Sequence, residues 1–275
     1  MTISMRRSGK YWGKTMRDQL EDAEKHRDDG YGRSQKRDFK ADLPKRLYKD
    51  VAVLPVDGGF TLTFDGRPAK TPGLKLPVIV PAASIATTMA EEWAAQGERV
   101  DAETMPTVRL VNSAIESGEA MVPALRAEVI KFVASDLLLY RAEGPQPLVI
   151  QQEAVWDDAL VRVARHFGVS FQPTVGIIHQ EQPKATLAKL AAVLEPENLL
   201  VMTSLVSITG LTGSGILTIG LWHKLFTPDH VWMAAHVDED YQISFWGADE
   251  EAVLRREKRK REFDATVKVL DALRN

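Results

Sequence analysis

The residues that could do chemistry are few and poorly spaced for it. Of the six histidines, His26, His166, His179, His223, His230 and His236, no two form an H-x-x-x-H or H-E-x-x-H pattern. No helix would therefore present two imidazoles to one metal ion. His230 and His236 are six residues apart and face different ways on an ideal helix. The run Asp238-Glu239-Asp240 lacks the alternating ligands and the glycine of a calcium loop. Gly210, Gly213, Gly215 and Gly220 fit neither a phosphate-cradling G-x-x-x-x-G-K-[ST] run nor G-x-G-x-x-G after a strand. They read as glycines for close helix packing. Thr212-Gly213-Ser214-Gly215 approaches a nucleophile elbow, but threonine stands where its first glycine belongs. Glu91 and Glu92 read as solvated carboxylates on an otherwise apolar helix. The chain has no cysteine, which removes thiol nucleophiles, thiolate zinc sites and disulfides together. A small-molecule enzyme with a dispersed site stays open, since a fold can gather distant residues, but no local pattern argues for one. No cofactor and no metal is expected.

The elements that would hold such residues fall into two groups. Val51 and Val53 alternate along one run, and Phe60, Leu62 and Phe64 alternate with Thr61 and Thr63 along the next. That pattern gives strands with an apolar and a hydroxylic face. Asp57-Gly58 and Asp65-Gly66 supply tight turns, so a three-stranded antiparallel meander is expected, with residues 78–80 as a short added edge. At Ser84 the period changes to that of a helix, capped by Ser84 and running to 96. Further helices are expected at 107–115, 122–138, 153–167, 183–194, 228–242 and 249–273, with one or a pair across 199–222. Residues 171–178 are the one later stretch with strand character. Strands first and helices after imply an α+β fold, with a mixed-charge arm at 1–43, a small β-rich domain at 44–104 and a helical domain at 105–275.

Composition narrows the partners. The 275 residues are 44% hydrophobic and 27% charged, with a net charge of −3, so no global basic field attracts nucleic acid or anionic lipid. Residues 199–222 carry no charge, which raises a membrane span. Eleven Ser, Thr and Gly residues dilute the segment, and a buried helix or helix pair is the expectation. The N-terminal residues lack the apolar stretch of a signal peptide, and Asp18, Glu21, Asp22 and Glu24 are out of place in an import signal. A bacterial cytoplasmic protein is expected, or a mitochondrial matrix protein if the source is eukaryotic. The arm reads either as a solvated tail or as a partner-binding segment.

Arg255, Arg256, Lys258, Arg259, Lys260 and Arg261 form the strongest basic run. Glu250, Glu251, Glu257 and Glu262 interleave with it at helical spacing, which favours intrahelical pairs over a nucleic-acid surface. Trp93, among apolar residues after the strands, is expected to be structural and buried between the two domains. Asp238, Glu239, Asp240, Tyr241, Gln242 and Trp246 place carboxylates beside aromatics, a composition suited to contacting another protein.

Several short segments then occur in one characteristic order: Arg46-Leu47-Tyr48-Lys49; Asp65-Gly66-Arg67-Pro68 with Lys70-Thr71-Pro72; Glu92-Trp93 with Gln96; Met105-Pro106 with Leu110 and Asn112; Asp136 with Tyr140-Arg141; Gln151 with Trp156-Asp157; and Glu239 with Tyr241-Gln242 and Trp246-Gly247. In this order the chain resembles the ATP synthase F(1) assembly chaperones of the ATP-twelve type, over roughly residues 44–273. Leu47 stands where an aromatic is usual, and Asp158 where a proline is common. The resemblance implies a small N-terminal α+β part followed by an orthogonal helical bundle and no enzymatic activity. It further implies that the chain binds unassembled F(1) alpha subunit until beta replaces it, with no nucleic acid, membrane insertion or small-molecule substrate. The family's important acidic residue falls in the box before Tyr241-Gln242. Glu239 is the best match, with Asp238, Asp240, Gln242 and Trp246 as its neighbours. A helix-end carboxylate or an internal ion pair is the competing role for Glu239.

Overall fold

The paired strands form because each turn is specified by the residues in it. In the computed structural model, which describes residues 43–274, β1 (Val51–Val56) runs antiparallel to β2 (Gly59–Phe64) with Val51 opposite Phe64 and Val56 opposite Gly59. At the next turn Asp65 and Gly66 both have positive φ, 49° and 78°, the backbone of a two-residue hairpin turn whose twist suits the strands. That turn returns the chain as β3 (Arg67–Pro68), giving the sheet order β1-β2-β3. Val80 adds the expected short edge through paired backbone bonds with Phe60, at 2.8 and 2.9 Å. The charged arm expected at the start lies, up to residue 42, outside the described residues.

Both faces of β2 are covered, not one. Thr61 and Thr63 are buried along with Leu62, and the Thr61 hydroxyl is satisfied by donating to the Val78 carbonyl at 2.6 Å, which offsets the cost of burying it.

Helix α1 (Ala83–Ala94) starts one residue before Ser84, at an N-cap Ala82 that supplies no side-chain bond. Ser84 therefore sits inside the first turn and is not the cap. Then come α2 (Pro106–Ser117), α3 (Val122–Ala134), β4 (Tyr140–Arg141), α4 (Gln146–Gln152), a π-helical turn (Glu153–Asp157), α5 (Asp158–Phe167), β5 (Thr174–Val175), α6 (Lys184–Val193), α7 (Leu199–Thr212), α8 (Gly215–Trp222), α9 (Pro228–Ala235), α10 (Val237–Trp246) and α11 (Glu250–Leu273). The short β4 and β5 pair in parallel. The fold is α+β, a small antiparallel sheet followed by a larger helical region.

The uncharged stretch becomes the helix pair α7 and α8, capped by Asn198 and Ser214. Among the described residues no helix is long and apolar enough to cross a membrane. Two of its four glycines pack tightly: a Cβ on Gly215 would meet the Val129 carbonyl at 2.7 Å, and one on Gly220 would overlap the Phe226 ring. Gly213 ends α7 with φ +71°, and Gly210 faces open space.

Asp136 ties these helices to α3. It is wholly buried; its Oδ1 accepts the Leu138 N–H at 3.1 Å and its Oδ2 the Ile216 N–H at 2.9 Å, the open N-terminus of α8. Burial pushes its carboxyl up to about 7, against the pull of those bonds.

Residues from Arg46 onward form one unit with two clusters of buried apolar side chains. The smaller unites Leu62, Val78 and Val80 of the strand region with Met89 of α1, Val108 and Val111 of α2, and Val269 of α11. The larger centres on Trp156, Met202, Leu205, Ile216, Leu217 and Phe263.

Candidate functional site

The expected helix 228–242 is broken at His236, and the break shapes the acidic segment. His236 Nδ1 donates to the Trp232 carbonyl at 2.7 Å, and its ring lies 4.1 Å from the Trp232 ring. The ring thus occupies the carbonyl that its own backbone N–H would take in a continuing helix; that N–H goes to Met233 instead. With φ −121° and ψ 16°, His236 leaves helical geometry and α10 starts afresh. Asp238, Glu239 and Asp240 fall in its first turn, where the exposed N–H groups favour negative charge.

The three carboxylates have three different environments. Asp238 Oδ1 accepts from Gln152 Nε2 at 2.7 Å. Asp240 pairs with Arg256 of α11, and that bond raises the Arg256 pKa. Glu239 has no such partner: its Oε2 lies 3.8 Å from His236 Nε2, too long for a hydrogen bond, with the side chain 40% exposed. Burial lowers the His236 pKa, so the ring is neutral near pH 7 and forms no strong ion pair. Asp240, with its side chain 46% exposed, is the more open to solvent, but Glu239 is the one whose carboxylate is not held by a hydrogen bond to Gln152 or Arg256.

At the other end of α10, Gln242 is exposed and Trp246 is 88% exposed, with Phe245 beside it at 65%. A half-buried Tyr241 ring lies 4.9 Å from that of Phe245. Between α9, α10 and α11, Trp232, Ile243, Ala252 and Val253 line a mainly apolar cavity of about 320 Å³ edged by Arg256, Glu257 and Lys260. A carboxylate, exposed aromatics and an apolar groove are thus brought onto adjoining turns. Such a surface can meet a cation and cover apolar area at once. Among the described residues, no set of three or more His, Asp or Glu could hold a metal ion.

Other site expectations change in detail. Trp93 is half-buried, not sunk between two domains; its ring stands edge-on to Tyr48 at 5.6 Å and to Phe64 at 5.0 Å. It braces α1 on the sheet. Glu92 is no free surface carboxylate: it accepts the N–H groups of Thr107 and Val108 at 2.9 and 2.8 Å, capping α2, and burial raises its pKa. The basic run is largely tied up. Lys258 pairs with Glu103, Lys260 with Asp264, Arg255 with Glu251, and Arg259 donates to the Leu211 carbonyl. Arg255 and Lys260 keep intrahelical i,i+4 partners, as the spacing implies, while Arg256, Lys258 and Arg259 take partners on other elements.

Gln152 and Phe245 carry weight that sequence patterns did not assign. Gln152 is 2% exposed and lies 86 residues from Asp238, so no local signal marks it. Phe245 went unassigned, although its place beside Trp246 and near the acidic run is the signal that would have marked it.

A model of the ATP12 chaperone protein family matches residues 45–164. The chain is similar to the Atu1473 protein of Agrobacterium tumefaciens, with 39% identity, 84% of this chain and 87% of that one covered, and a TM-score of 0.79. It is also similar to Atp12 from Paracoccus denitrificans, at 30% identity over 83% of this chain and 98% of that one, with a TM-score of 0.76. A lysine-for-aspartate variant of that Atp12 matches equally, at 30% identity, 83% and 97% coverage and a TM-score of 0.76. With two relatives of this identity covered almost end to end, the chain belongs to the ATP12 chaperone family.

Proposed function

We propose that the chain is an assembly chaperone for the F(1) part of ATP synthase, acting in the bacterial cytoplasm. It holds the unassembled alpha subunit and gives it up when beta arrives. Family membership across both the sheet and the helical region carries this reading. Physical chemistry supports it. A lone subunit exposes an interface meant for another chain, and such patches aggregate. A chaperone must cover the patch without the permanence of an obligate hydrophobic interface. Glu239, free of a strong internal partner, together with exposed Phe245 and Trp246, provides polar selectivity and aromatic anchoring on one helix. The reading involves no catalysis, cofactor or nucleic acid.

The test is co-expression with cognate alpha and beta subunits followed by pull-down through this chain. Alpha is expected in the complex when beta is absent and lost as beta is added. Equal recovery of free alpha and of assembled catalytic heads would sink the reading.

A further inference from the structure

Residues 170–180 contain no charged side chain. They form a loop between α5 and α6 that is fastened at its neck. Buried Gln182 closes it: its Oε1 accepts the Gln172 N–H and its Nε2 donates to the Gln172 carbonyl, each at 2.9 Å. Thr186 adds a second clasp, donating to the Ser170 carbonyl at 2.8 Å. One limb is held as β5 against β4, with the Gly176 N–H donating to the Arg141 carbonyl at 2.8 Å. The other limb returns through His179, whose Nδ1 lies 2.9 Å from the Tyr140 hydroxyl. At the bend, Gly176 has φ +83°, and a Cβ there would lie 2.9 Å from Glu143 Oε1. Glycine suits both the bend and the space.

The fastened loop lifts three aliphatic side chains into water. Val175 is 63% exposed, Ile178 79% and Ile177 95%. A loop bonded at its neck and at both limbs cannot fold these side chains back without breaking those bonds. Compact loops of this kind, set on a rigid scaffold, frequently carry function. A chain of bonds also joins this tip to the acidic helix. Gly176 bonds to Arg141, Arg141 Nη1 donates to the Gln152 carbonyl at 3.0 Å, and Gln152 reaches Asp238.

We infer that the 172–182 loop is a second client contact, with Ile177 and Ile178 entering an uncharged aliphatic depression on the same unassembled subunit that Glu239 engages. This rests on the chaperone reading above. The absence of charge from the tip matches an apolar protein interface. A lipid surface would call for cations or tryptophan beside the aliphatics, and residues 170–182 contain no Lys, Arg or Trp.

The experiment compares the full chain, an Ile177→Ser/Ile178→Ser double variant and Glu239→Lys. Each is titrated against isolated alpha subunit while aggregation of alpha is followed by light scattering. Hydrogen exchange of residues 174–179 in the wild-type chain, with and without alpha, is measured in parallel. The double variant is expected to melt like wild type and to lose affinity by about tenfold or more, since two exposed aliphatic side chains no longer gain burial. Exchange at the tip should slow in the complex. If Glu239→Lys fails and the double variant binds normally, with tip exchange unchanged, the loop contact is wrong and the chaperone reading survives. If wild type leaves alpha aggregating as it does alone, both fall. A dimer that the double variant converts to monomer, or binding to phosphatidylglycerol vesicles lost in that variant, with alpha affinity unaltered, would assign the tip to another partner and overturn the inference.

Discussion

Gln152 Nε2 donates to Asp238 Oδ1 across 2.7 Å, and the Gln152 Oε1 accepts the Ala142 N–H at 2.8 Å. One buried amide therefore pins the start of α10 to the end of β4. Its main-chain carbonyl also takes Arg141 Nη1 at 3.0 Å. This arrangement fixes where the acidic segment points and separates structural carboxylates from exposed ones.

Gln152→Leu should destabilise the chain by about 1–3 kcal/mol, because it leaves the Ala142 N–H and the Asp238 carboxylate without these partners in a partly buried place. Asp238→Ala should be destabilising for the same reason. Thermal melting of both variants checks this, and melting curves superimposed on wild type would show the bond to be dispensable.

Glu239→Lys should behave in the opposite way. Its side chain is 40% exposed, it lies 3.8 Å from the neutral His236 ring and it feels the Arg256 charge only at a distance, so stability should stay within about 0.5 kcal/mol of wild type. Alpha binding should weaken by about 2–5 kcal/mol if the carboxylate meets a desolvated cation there. Melting and titration on one preparation distinguish the cases: a large drop in melting temperature would make Glu239 structural.

Asp136 makes stability depend on pH. Its folded pKa of about 7 lies above the unfolded value of about 3.9. Between those values the folded chain binds more protons than the unfolded chain, so this group's contribution falls as pH rises. It is fully present below about pH 4 and lost by the time pH has passed through about 7. Asp136→Asn should be less stable overall, because an amide nitrogen cannot accept the Leu138 or Ile216 N–H, yet its stability should change less between about pH 5 and about pH 8. Denaturant titrations across that range give both quantities. An unchanged pH slope in the variant would assign the dependence to other groups.

Trp93→Ala should cost about 1–3 kcal/mol, through two lost edge-to-face aromatic contacts and part of the burial of a large ring. A ring that is only partly buried leaves a smaller cavity behind, so the loss should fall short of that at fully buried Trp156. Comparing melting of Trp93→Ala and Trp156→Ala checks the ranking.

The three-stranded meander, the stop of α5 at Gly168 and the paired helices of the uncharged stretch were legible in the amino-acid string because their causes are local. Asp65-Gly66 carries its own turn geometry, period-two and period-3.6 patterns lie within single elements, and Gly213 ends a helix by its own φ. The acidic and aromatic residues of the candidate site were legible too, as a composition. Their division of labour was decided only by the fold. Asp238, Glu239 and Asp240 are neighbours in sequence, yet one meets Gln152 from 86 positions away, one is bonded to Arg256 on another helix and one is held by neither. The same holds for Glu92, which looks like a surface carboxylate until α2 brings two free N–H groups to it, and for the break at His236, which needs the imidazole placed against the Trp232 carbonyl. Hydrogen bonds depend on distance and angle to a partner, and for these groups the backbone path sets both.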